Sequence, residues 1–510
     1  MTATSPTSSE QDHETTSQVR GSSMLLVGRL VNVVLSLGIQ VLLVRTLTES
    51  EFGAFGYALA VATMMVLVVS LGTLKAIPRF LAIYDEQGDN RRFAGALIFE
   101  IGLVLGLATS VFILLLSMRS LIEGRLVDDS LTFTLTAILF FTAPQEALDR
   151  VMEAVAAVAG KTRAIFIRKY LLEPSLRLTV IIALILMGAS VRFLAVGYLV
   201  AGILGSMVYF LFIVRHLRER RINHHFRTGE FDLPGKAMLR FSLPLLSHDV
   251  VFAGVGALSV ILIGSSFGTD GVADFRAVFP IARMNSIISW TFAVLYIPLA
   301  SRFFARSNIP GMARAYWRSA SWLTVLTLPI FLLTGVFAGT LTETMLGSDY
   351  ADTAPILTVL AVAYYFHASL GFNTYTLQTF GHLRLTVAID LASIVVFVIS
   401  ASLMIPRYEA LGAAWATLIT YSFMNLANQI GVHRMGIVFT SRFGAIYGSV
   451  IGAIGVCVVI ERLLDPPLIL AGVLSGLIAG VLVVLNKDKL EVAETFPEAT
   501  RLPVIGKLLI

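Results

Sequence analysis

Charged side chains inside apolar stretches are the residues of this 510-residue chain that could do chemistry. Three arginines lie deep in such stretches, namely Arg29, Arg177 and Arg283. An ionisable residue within a membrane span is costly and generally marks the path of a substrate or an ion. Because a guanidinium matches a phosphate group with two hydrogen bonds at once, these arginines are candidate sites for an anionic substrate.

Three acidic residues accompany these arginines in the apolar stretches: Glu100, Glu173 and Asp249. Glu173 lies four residues before Arg177, so the two share a helix face. Glu100 and Arg29 both lie roughly 11–12 Å from the predicted cytoplasmic edge and could pair. Each acid either neutralises a neighbouring arginine or serves as a protonatable site for ion coupling. Ion pairing weakens the second interpretation, because a paired carboxylate titrates poorly near neutral pH.

Further polar residues in the apolar stretches allow a structural and a functional interpretation. The charges of the fourth stretch are expected at the membrane interface, with the first and third forming a surface pair: Glu146, Asp149, Arg150 and Glu153. The amides of two later stretches either line a sugar path or form hydrogen bonds between helices: Asn373, Gln378, Asn425, Asn428 and Gln429.

Composition places the chain in a membrane. It is 56% hydrophobic and only 14% charged, with a mean hydropathy of +0.82, whereas soluble proteins carry about 25% charged residues. Since a bilayer core of about 30 Å needs roughly 20 apolar residues per helix, the apolar stretches predict an all-α polytopic membrane protein with about fourteen spans. The single cysteine, Cys457, excludes an intrachain disulfide and a cysteine-based metal site.

The loops predict the organisation and orientation of the chain. Alternate connections hold about four times as many Lys and Arg residues as the others. This bias predicts a multi-pass protein of the plasma membrane with both termini in the cytoplasm. The predicted parts are a disordered tail, a six-helix bundle, a basic linker, a second six-helix bundle, two additional helices and a second tail: 1–20, 21–214, 215–237, 238–434, 435–486 and 487–510.

Glycines recur at every fourth position in the last two apolar stretches, at 448 and 452 and at 472, 476 and 480. Small residues at this spacing let helix backbones approach closely. The pattern predicts that these two helices pair with each other. The alternative is a groove for a lipid tail or for a second subunit.

Several segments resemble one family of membrane proteins. They are RTLTESEFGAFGYALA at 45–60, LGSDYADTAPILTVLAVAYYF at 346–366, LQTFGHLRL at 377–385 and LMIPRYEALGAAWATLIT at 403–420. They resemble Wzx-type polysaccharide flippases, in the superfamily that also holds MATE exporters and MurJ lipid II flippases. The resemblance extends from about residue 20 to 485, and the LGAAWAT block after Pro406 is the part that points to the polysaccharide branch.

The resemblance implies two six-helix bundles around a central cavity that works by alternating access. It implies transfer of a polyprenyl-diphosphate-linked oligosaccharide from the cytoplasmic to the outer leaflet. Arg177, Arg283 and Arg29 would then bind the diphosphate, while Asp249, Glu100 and Glu173 are candidates for ion coupling. The implied partners are the lipid-linked oligosaccharide, membrane lipids and other membrane proteins of the glycan pathway. The family has no fixed catalytic motif, so neither a catalytic residue nor a cofactor is expected.

Two other classes of protein remain as alternatives. A membrane polymerase or ligase of the same pathway would expose a catalytic loop, but the predicted outer loops 118–130 and 341–353 contain no histidine. A MATE-like, ion-coupled exporter of small cations would need an acidic cavity, whereas three deep arginines favour an anion. The Lys and Arg residues are spread over many loops, so no nucleic-acid surface is predicted.

Overall fold

A computed structural model of the protein describes residues 27–29, 31–117, 130–219 and 222–495. Within these ranges the chain forms helices and no strand. Twelve helical stretches are long and apolar enough to cross a membrane. The predicted tail 1–20, all but the last residue of the outer loop 118–130, and residues 496–510 lie outside the described part.

Two of the twelve stretches contain two spans each. They run over 59 residues (Gly235–Ala293) and 52 residues (Leu383–Arg434). A straight helix of the shorter length would extend about 78 Å, more than twice the core of a bilayer. The backbone leaves the helical conformation at Gly268 (φ 71°) and at Glu409 (φ 52°). A Cβ on Gly412 would lie 2.2 Å from the backbone oxygen of Met404, so the chain turns back on itself there. The expected all-α polytopic membrane protein with about fourteen spans is thus confirmed.

The first compact unit ends at Asp249. Its spanning helices are α1 (Val27–Thr46), α2 (Glu49–Ser70), α3 (Asn90–Ser117), α4 (Ser130–Val158), α5 (Thr162–Met187), α6 (Val191–Glu219) and the beginning of α7 (235–267). A short helix, Ile77–Glu86, connects α2 to α3. It packs with α3, α4 and α6 in a core that includes Ile77, Leu81, Phe93 and Tyr209.

The start of α2 lies in segment 45–60, one of those that carry the family resemblance. The hydroxyl of Thr48 accepts from the backbone N–H of Glu51, whose carboxylate accepts in return from the backbone N–H of Thr48. This reciprocal cap satisfies two donors at the helix end. Phe52 and Phe55 follow it and are almost fully buried, so the segment combines a helix start with two core aromatics.

The second compact unit begins at Val250. It holds the rest of α7, then α8 (269–293), α9 (Ile309–Val336), α10 (Ser348–Thr379), α11 (383–408), α12 (410–434), α13 (Phe443–Leu464) and α14 (Leu468–Leu485). Helices α13 and α14 pack on α9 through a core that contains Trp317, Phe443, Cys457 and Leu482. Short helices precede α10 (Ala338–Leu346) and follow α14 (Lys487–Leu490, Val492–Thr495).

The basic connection after α6 is shorter than the predicted linker 215–237. Helix α6 continues to Glu219, whose carboxylate lies 2.9 Å from the Arg215 guanidinium one turn before it. A short helix, Asn223–Thr228, follows, and α7 begins at Gly235. Charged residues at a four-residue spacing support an extra turn of helix beyond the apolar part.

The prediction that the glycines of α13 and α14 bring these two helices together is wrong. A Cβ added at Gly448, Gly452, Gly472, Gly476 or Gly480 would meet no atom within 4 Å. A close helix contact would place a neighbouring backbone at that distance. These glycines therefore lie on open surface, and the contact of both helices with α9 holds them to the unit.

Large apolar side chains cover much of the outer surface of the described spans. Leu186 is 80% exposed and Ile469 is 84% exposed. Soluble proteins rarely expose large continuous apolar patches. Such side chains are expected where the solvent is the hydrocarbon of a bilayer.

We expect reporter fusions to confirm the topology. A reporter that is active only outside the cell should be active after residue 347 and inactive after residue 225, because the basic loops favour the cytoplasm. A fusion after residue 125 should also report the outside. An outside signal at residue 225 would contradict the division into two cytoplasmically linked halves.

Candidate functional site

Arg177 and Glu173 lie on the same face of α5, as the sequence predicts. An Nη atom of Arg177 lies 2.6 Å from a carboxylate oxygen of Glu173. A wide π-helical turn, Phe166–Leu172, directly precedes them. Pro174 has no backbone N–H to bond the preceding turn, which accounts for irregular helix at this place.

A second arginine binds the other side of Glu173. The guanidinium of Arg168, on the π-helical turn, lies 2.8 Å from Glu173 and 3.0 Å from Asp149 on α4. Its side chain is only 1% exposed. The hydroxyl of Ser206 on α6 donates to Asp149 at 2.8 Å, so this network joins three helices.

The network is a row of alternating charges that ends at a partly exposed cation: Asp149, Arg168, Glu173 and Arg177. The Arg177 side chain is 41% exposed, and its guanidinium lies 5.3 Å from the ring centre of Tyr198. Its Nε–H is buried and has no hydrogen-bond partner. Glu173 thus fixes Arg177 through one Nη atom, while the exposed part of the side chain stays open to an anion.

The charged residues of the fourth apolar stretch differ in how much of each side chain is exposed. Glu146 and Arg150 form the predicted surface pair at 2.6 Å, and both are about half exposed. Asp149, in contrast, is only 14% exposed because Arg168 covers it. Glu153 binds Lys169 at 2.7 Å. The expected position of these charges at the membrane interface stays a prediction, but Asp149 and Glu153 also have cation partners on α5.

A glycine on α6 makes room for the buried guanidinium. A Cβ at Gly205 would lie 2.7 Å from Cζ of Arg168, which is shorter than van der Waals contact. Because Asp149 and Glu173 hold this guanidinium from two sides, it has little freedom to move away. The position therefore admits only glycine without a change in the network.

We expect Gly205→Ala to destabilise the protein by about 1–3 kcal/mol, the usual effect of overpacking a core. Gly472→Ala is a matched control, because a Cβ there meets no atom within 4 Å. The control should be neutral or slightly stabilising. Thermal unfolding in detergent measures both, and equal melting temperatures for the two variants would contradict the tight contact.

Arg283, in the second unit, has a different environment. It lies in a short 3₁₀ segment, Arg283–Ser286, and its side chain is partly buried. Its guanidinium carbon lies 5.7 Å from the ring centres of both Phe279 and Trp290. The ring of Tyr364 packs against Phe279. No described carboxylate forms an ion pair with Arg283.

The aromatic rings compensate only part of the energetic cost of this charge. A cation–π contact contributes about 0.5–1 kcal/mol near the surface, so two contribute about 1–2 kcal/mol. A charge at the centre of a membrane costs about 2.5–3.5 kcal/mol or more. The remainder requires water or an anionic ligand, whereas Arg177 already has a carboxylate partner.

Glu100 and Arg29 do not form the expected pair. Glu100 is fully buried, and one of its carboxylate oxygens accepts from the hydroxyl of Thr73 at 2.6 Å. Its other oxygen has no hydrogen-bond partner. Arg29 lies on α1, which contacts the π-helical turn of α5 instead, through the side-chain amide of Asn32 and the backbone oxygen of Lys169.

Asp249 has a cation partner that the sequence does not suggest. Nζ of Lys75 lies 2.6 Å from its carboxylate. Lys75 belongs to the 3₁₀ segment that follows α2, far from Asp249 along the sequence. The ion pair joins the end of α2 to α7 within the first unit.

The amides of the second unit bond mainly to other helices. Asn425 on α12 accepts from Asn373 on α10 and bonds to His367. Asn373, Asn425 and Asn428 are all buried. Gln429 accepts from the hydroxyl of Tyr316 at 2.6 Å. Of the two interpretations of these amides, the contacts favour hydrogen bonding between helices for Asn373, Asn425 and Gln429.

Residues 42–355 match the model of a protein family described as polysaccharide biosynthesis proteins. The chain belongs to this family. No curated protein sequence matches it. Membership of the polysaccharide biosynthesis family agrees with the resemblance that the sequence segments indicate. The matched residues include parts of both compact units.

Solved structures of membrane transporters share the fold of this polysaccharide biosynthesis protein. The lipid II flippase MurJ, in an inward closed conformation, matches with a TM-score of 0.72 at 13% identity, covering 92% of this chain and 99% of the flippase. An inward-facing multidrug resistance MATE transporter matches with a TM-score of 0.63 at 15% identity, covering 81% and 100%. A transporter from Pyrococcus furiosus matches with a TM-score of 0.54 at 18% identity, covering 82% and 96%.

Arg168 is the one central residue of the network that sequence reasoning missed. Its position near the start of α5 places it with the basic residues of the adjacent loop. A signal was present, because two acids one helical turn apart on α4 face two adjacent cations on α5. The structure pairs them in that order, Asp149 with Arg168 and Glu153 with Lys169.

Proposed function

We propose that this polysaccharide biosynthesis protein transfers a polyprenyl-diphosphate-linked oligosaccharide from the cytoplasmic to the outer leaflet. The observation that carries the proposal is Arg283, a partly buried guanidinium that pairs with no carboxylate in the described chain. A diphosphate is the anionic group of such a substrate, and it supplies the charge that Arg283 lacks. A cation exporter has no use for such a residue.

Arg177 supports the same proposal from the first unit. Its ion pair with Glu173 sets the direction of the guanidinium, and the side chain stays 41% exposed, so an anion can still reach it. Each compact unit thus contributes one candidate arginine for the diphosphate. Arg29, which is also partly buried, is a third candidate for the diphosphate.

Among the three acids considered for ion coupling, we propose Glu100. Asp249 is occupied by Lys75, and Glu173 by two arginines. Cation partners of this kind favour the charged form of a carboxyl group. Glu100 is buried with only a threonine hydroxyl as partner in the described structure, so a proton or a cation is the natural complement of its free oxygen.

We expect deletion of the gene to remove the surface glycan and to leave the lipid-linked oligosaccharide in the cytoplasmic leaflet. The physical reason is that a sugar-diphosphate headgroup does not cross hydrocarbon unaided. The accessibility of the oligosaccharide to a glycosidase or a lectin in oriented vesicles measures the leaflet. Repeat units that reach the outside but remain unpolymerised would instead identify the protein as a polymerase.

A further inference from the structure

A groove in the second unit lies between α9, α12 and α13, near the end of α12. Its volume is about 650 Å³. Its walls are largely apolar and include Trp317, Leu426, Ile430 and Phe439. Leu426 and Ile430 are each 54% exposed, so the groove opens sideways onto the surface that faces lipid. Apolar voids do not hold water stably, which leaves a hydrocarbon chain as the natural occupant.

The polar side chains of this groove lie at successive depths along it. His433 and Arg434 line its end and occupy the last turn of α12, where both are exposed. No described carboxylate forms an ion pair with Arg434. Gln429 lies four residues before His433, roughly 6 Å deeper along the helix. From the mouth inward, the groove thus offers a cation, an amide and apolar walls.

Gln429 presents a free donor at the middle position. Its side-chain oxygen accepts from the hydroxyl of Tyr316 at 2.6 Å, which orients the amide and leaves its NH₂ group for a ligand. The Tyr316 hydroxyl has a single hydrogen, which it shares between Gln429 and the backbone oxygen of Leu370, also at 2.6 Å. A cation, then an amide donor, then an apolar wall match the phosphate, the ester carbonyl and the acyl chain of a glycerophospholipid.

We propose that this groove binds one anionic glycerophospholipid, with its phosphate at Arg434 and His433, an ester carbonyl at Gln429 and an acyl chain along Leu426 and Trp317. Basic pockets at the ends of spanning helices are known to hold anionic headgroups. The ester carbonyl distinguishes this ligand from a polyprenyl phosphate, which has a phosphate and a hydrocarbon chain but no group for Gln429.

Trp317 provides the test, because brominated acyl chains quench indole fluorescence at short range. The other three tryptophans are replaced by Phe, and the protein is placed in vesicles with brominated phosphatidylglycerol or brominated phosphatidylcholine. We expect quenching of Trp317 to show that the groove binds phosphatidylglycerol roughly fivefold more tightly than phosphatidylcholine. This is the contribution of one cation near an anionic headgroup. A variant that keeps only Trp415, which is 42% exposed on α12, is the control and should show no preference.

Two substitutions distinguish the contribution of the lipid headgroup from that of the ester carbonyl. Arg434→Gln should remove the preference for phosphatidylglycerol without weakening phosphatidylcholine. Gln429→Leu should weaken both lipids about equally, and Tyr316 then keeps its bond to Leu370. Equal quenching of Trp317 by the two lipids in the unsubstituted groove would overturn the proposal, as would displacement of phosphatidylglycerol by an equimolar polyprenyl phosphate.

A second measurement avoids the tryptophan substitutions, since Trp322 donates to the backbone oxygen of Leu490 and its loss could disturb folding. Native mass spectrometry of the unmodified protein should retain one more phosphatidylglycerol than the Arg434→Gln variant. Identical lipid counts for the two proteins would also overturn the proposal.

Discussion

Replacing Arg283 by Gln should reduce glycan export at least about tenfold, while the protein still inserts into the membrane. A hydrogen bond to a charged group contributes about 1.5–3 kcal/mol, and the Gln side chain supplies neither the charge nor the paired donors. Arg283→Lys keeps the charge but loses the two-pronged geometry, so export should fall only part-way. The measurement is surface glycan divided by the amount of membrane-inserted protein.

Arg384 offers a control for this experiment. It lies at the start of α11, is exposed and forms no ion pair with a described carboxylate. Arg384→Gln should leave export close to normal, because its charge is already solvated. Near-normal export by Arg283→Gln would show that Arg283 is a structural charge and would remove the main support for the proposed function.

Replacing Arg168 by Gln should have the largest effect on stability, about 3–5 kcal/mol. That is the usual consequence of removing one partner from a buried ion pair, because the other partner is left with an uncompensated charge. Here two acids, Asp149 and Glu173, would lose their cation. The yield of monodisperse protein after detergent extraction and its melting temperature would both fall.

The exposed pair of Glu146 and Arg150 is the matched control, because it belongs to the same helix bundle. Arg150→Gln should change stability by only about 0–1 kcal/mol, as is usual for a surface pair. Neutralising Asp149 together with Arg168 should recover part of the lost stability. If Arg168→Gln were as stable as Arg150→Gln, the network would have no structural importance.

Much of the fold could be predicted from the sequence because the bilayer imposes it. Every spanning segment must be apolar over roughly 20 residues and must satisfy its own backbone hydrogen bonds. The number of spans could therefore be read from local composition, even where the long helical runs at Gly268 and Glu409 contain two spans each. The cap at Thr48 and the i,i+4 pair of Glu173 with Arg177 are equally local, and the structure contains both.

The partners of the remaining charges depended on contacts between distant segments. Asp249 binds Lys75, Asp149 binds Arg168, and Glu100 has a threonine as partner instead of Arg29. The rotation of each helix about its axis selects these partners, and hydropathy says little about rotation when a helix is apolar on all sides. The same reason explains the glycines of α13 and α14, which have the spacing of a helix contact but face outward.

The sequence by itself thus determined the membrane class, the number of spans, about fourteen, and which arginines lie within apolar stretches, because each follows from residue type along a single segment. The tertiary structure decided which partners the arginines have beyond their own helix. Arg177 pairs with a carboxylate of its own helix, and Arg168 pairs with a carboxylate on α4. Arg283 contacts aromatic rings in place of an acid. Whether a charge in a membrane is neutralised by the protein or left for a ligand depends on distances of a few ångströms between helices.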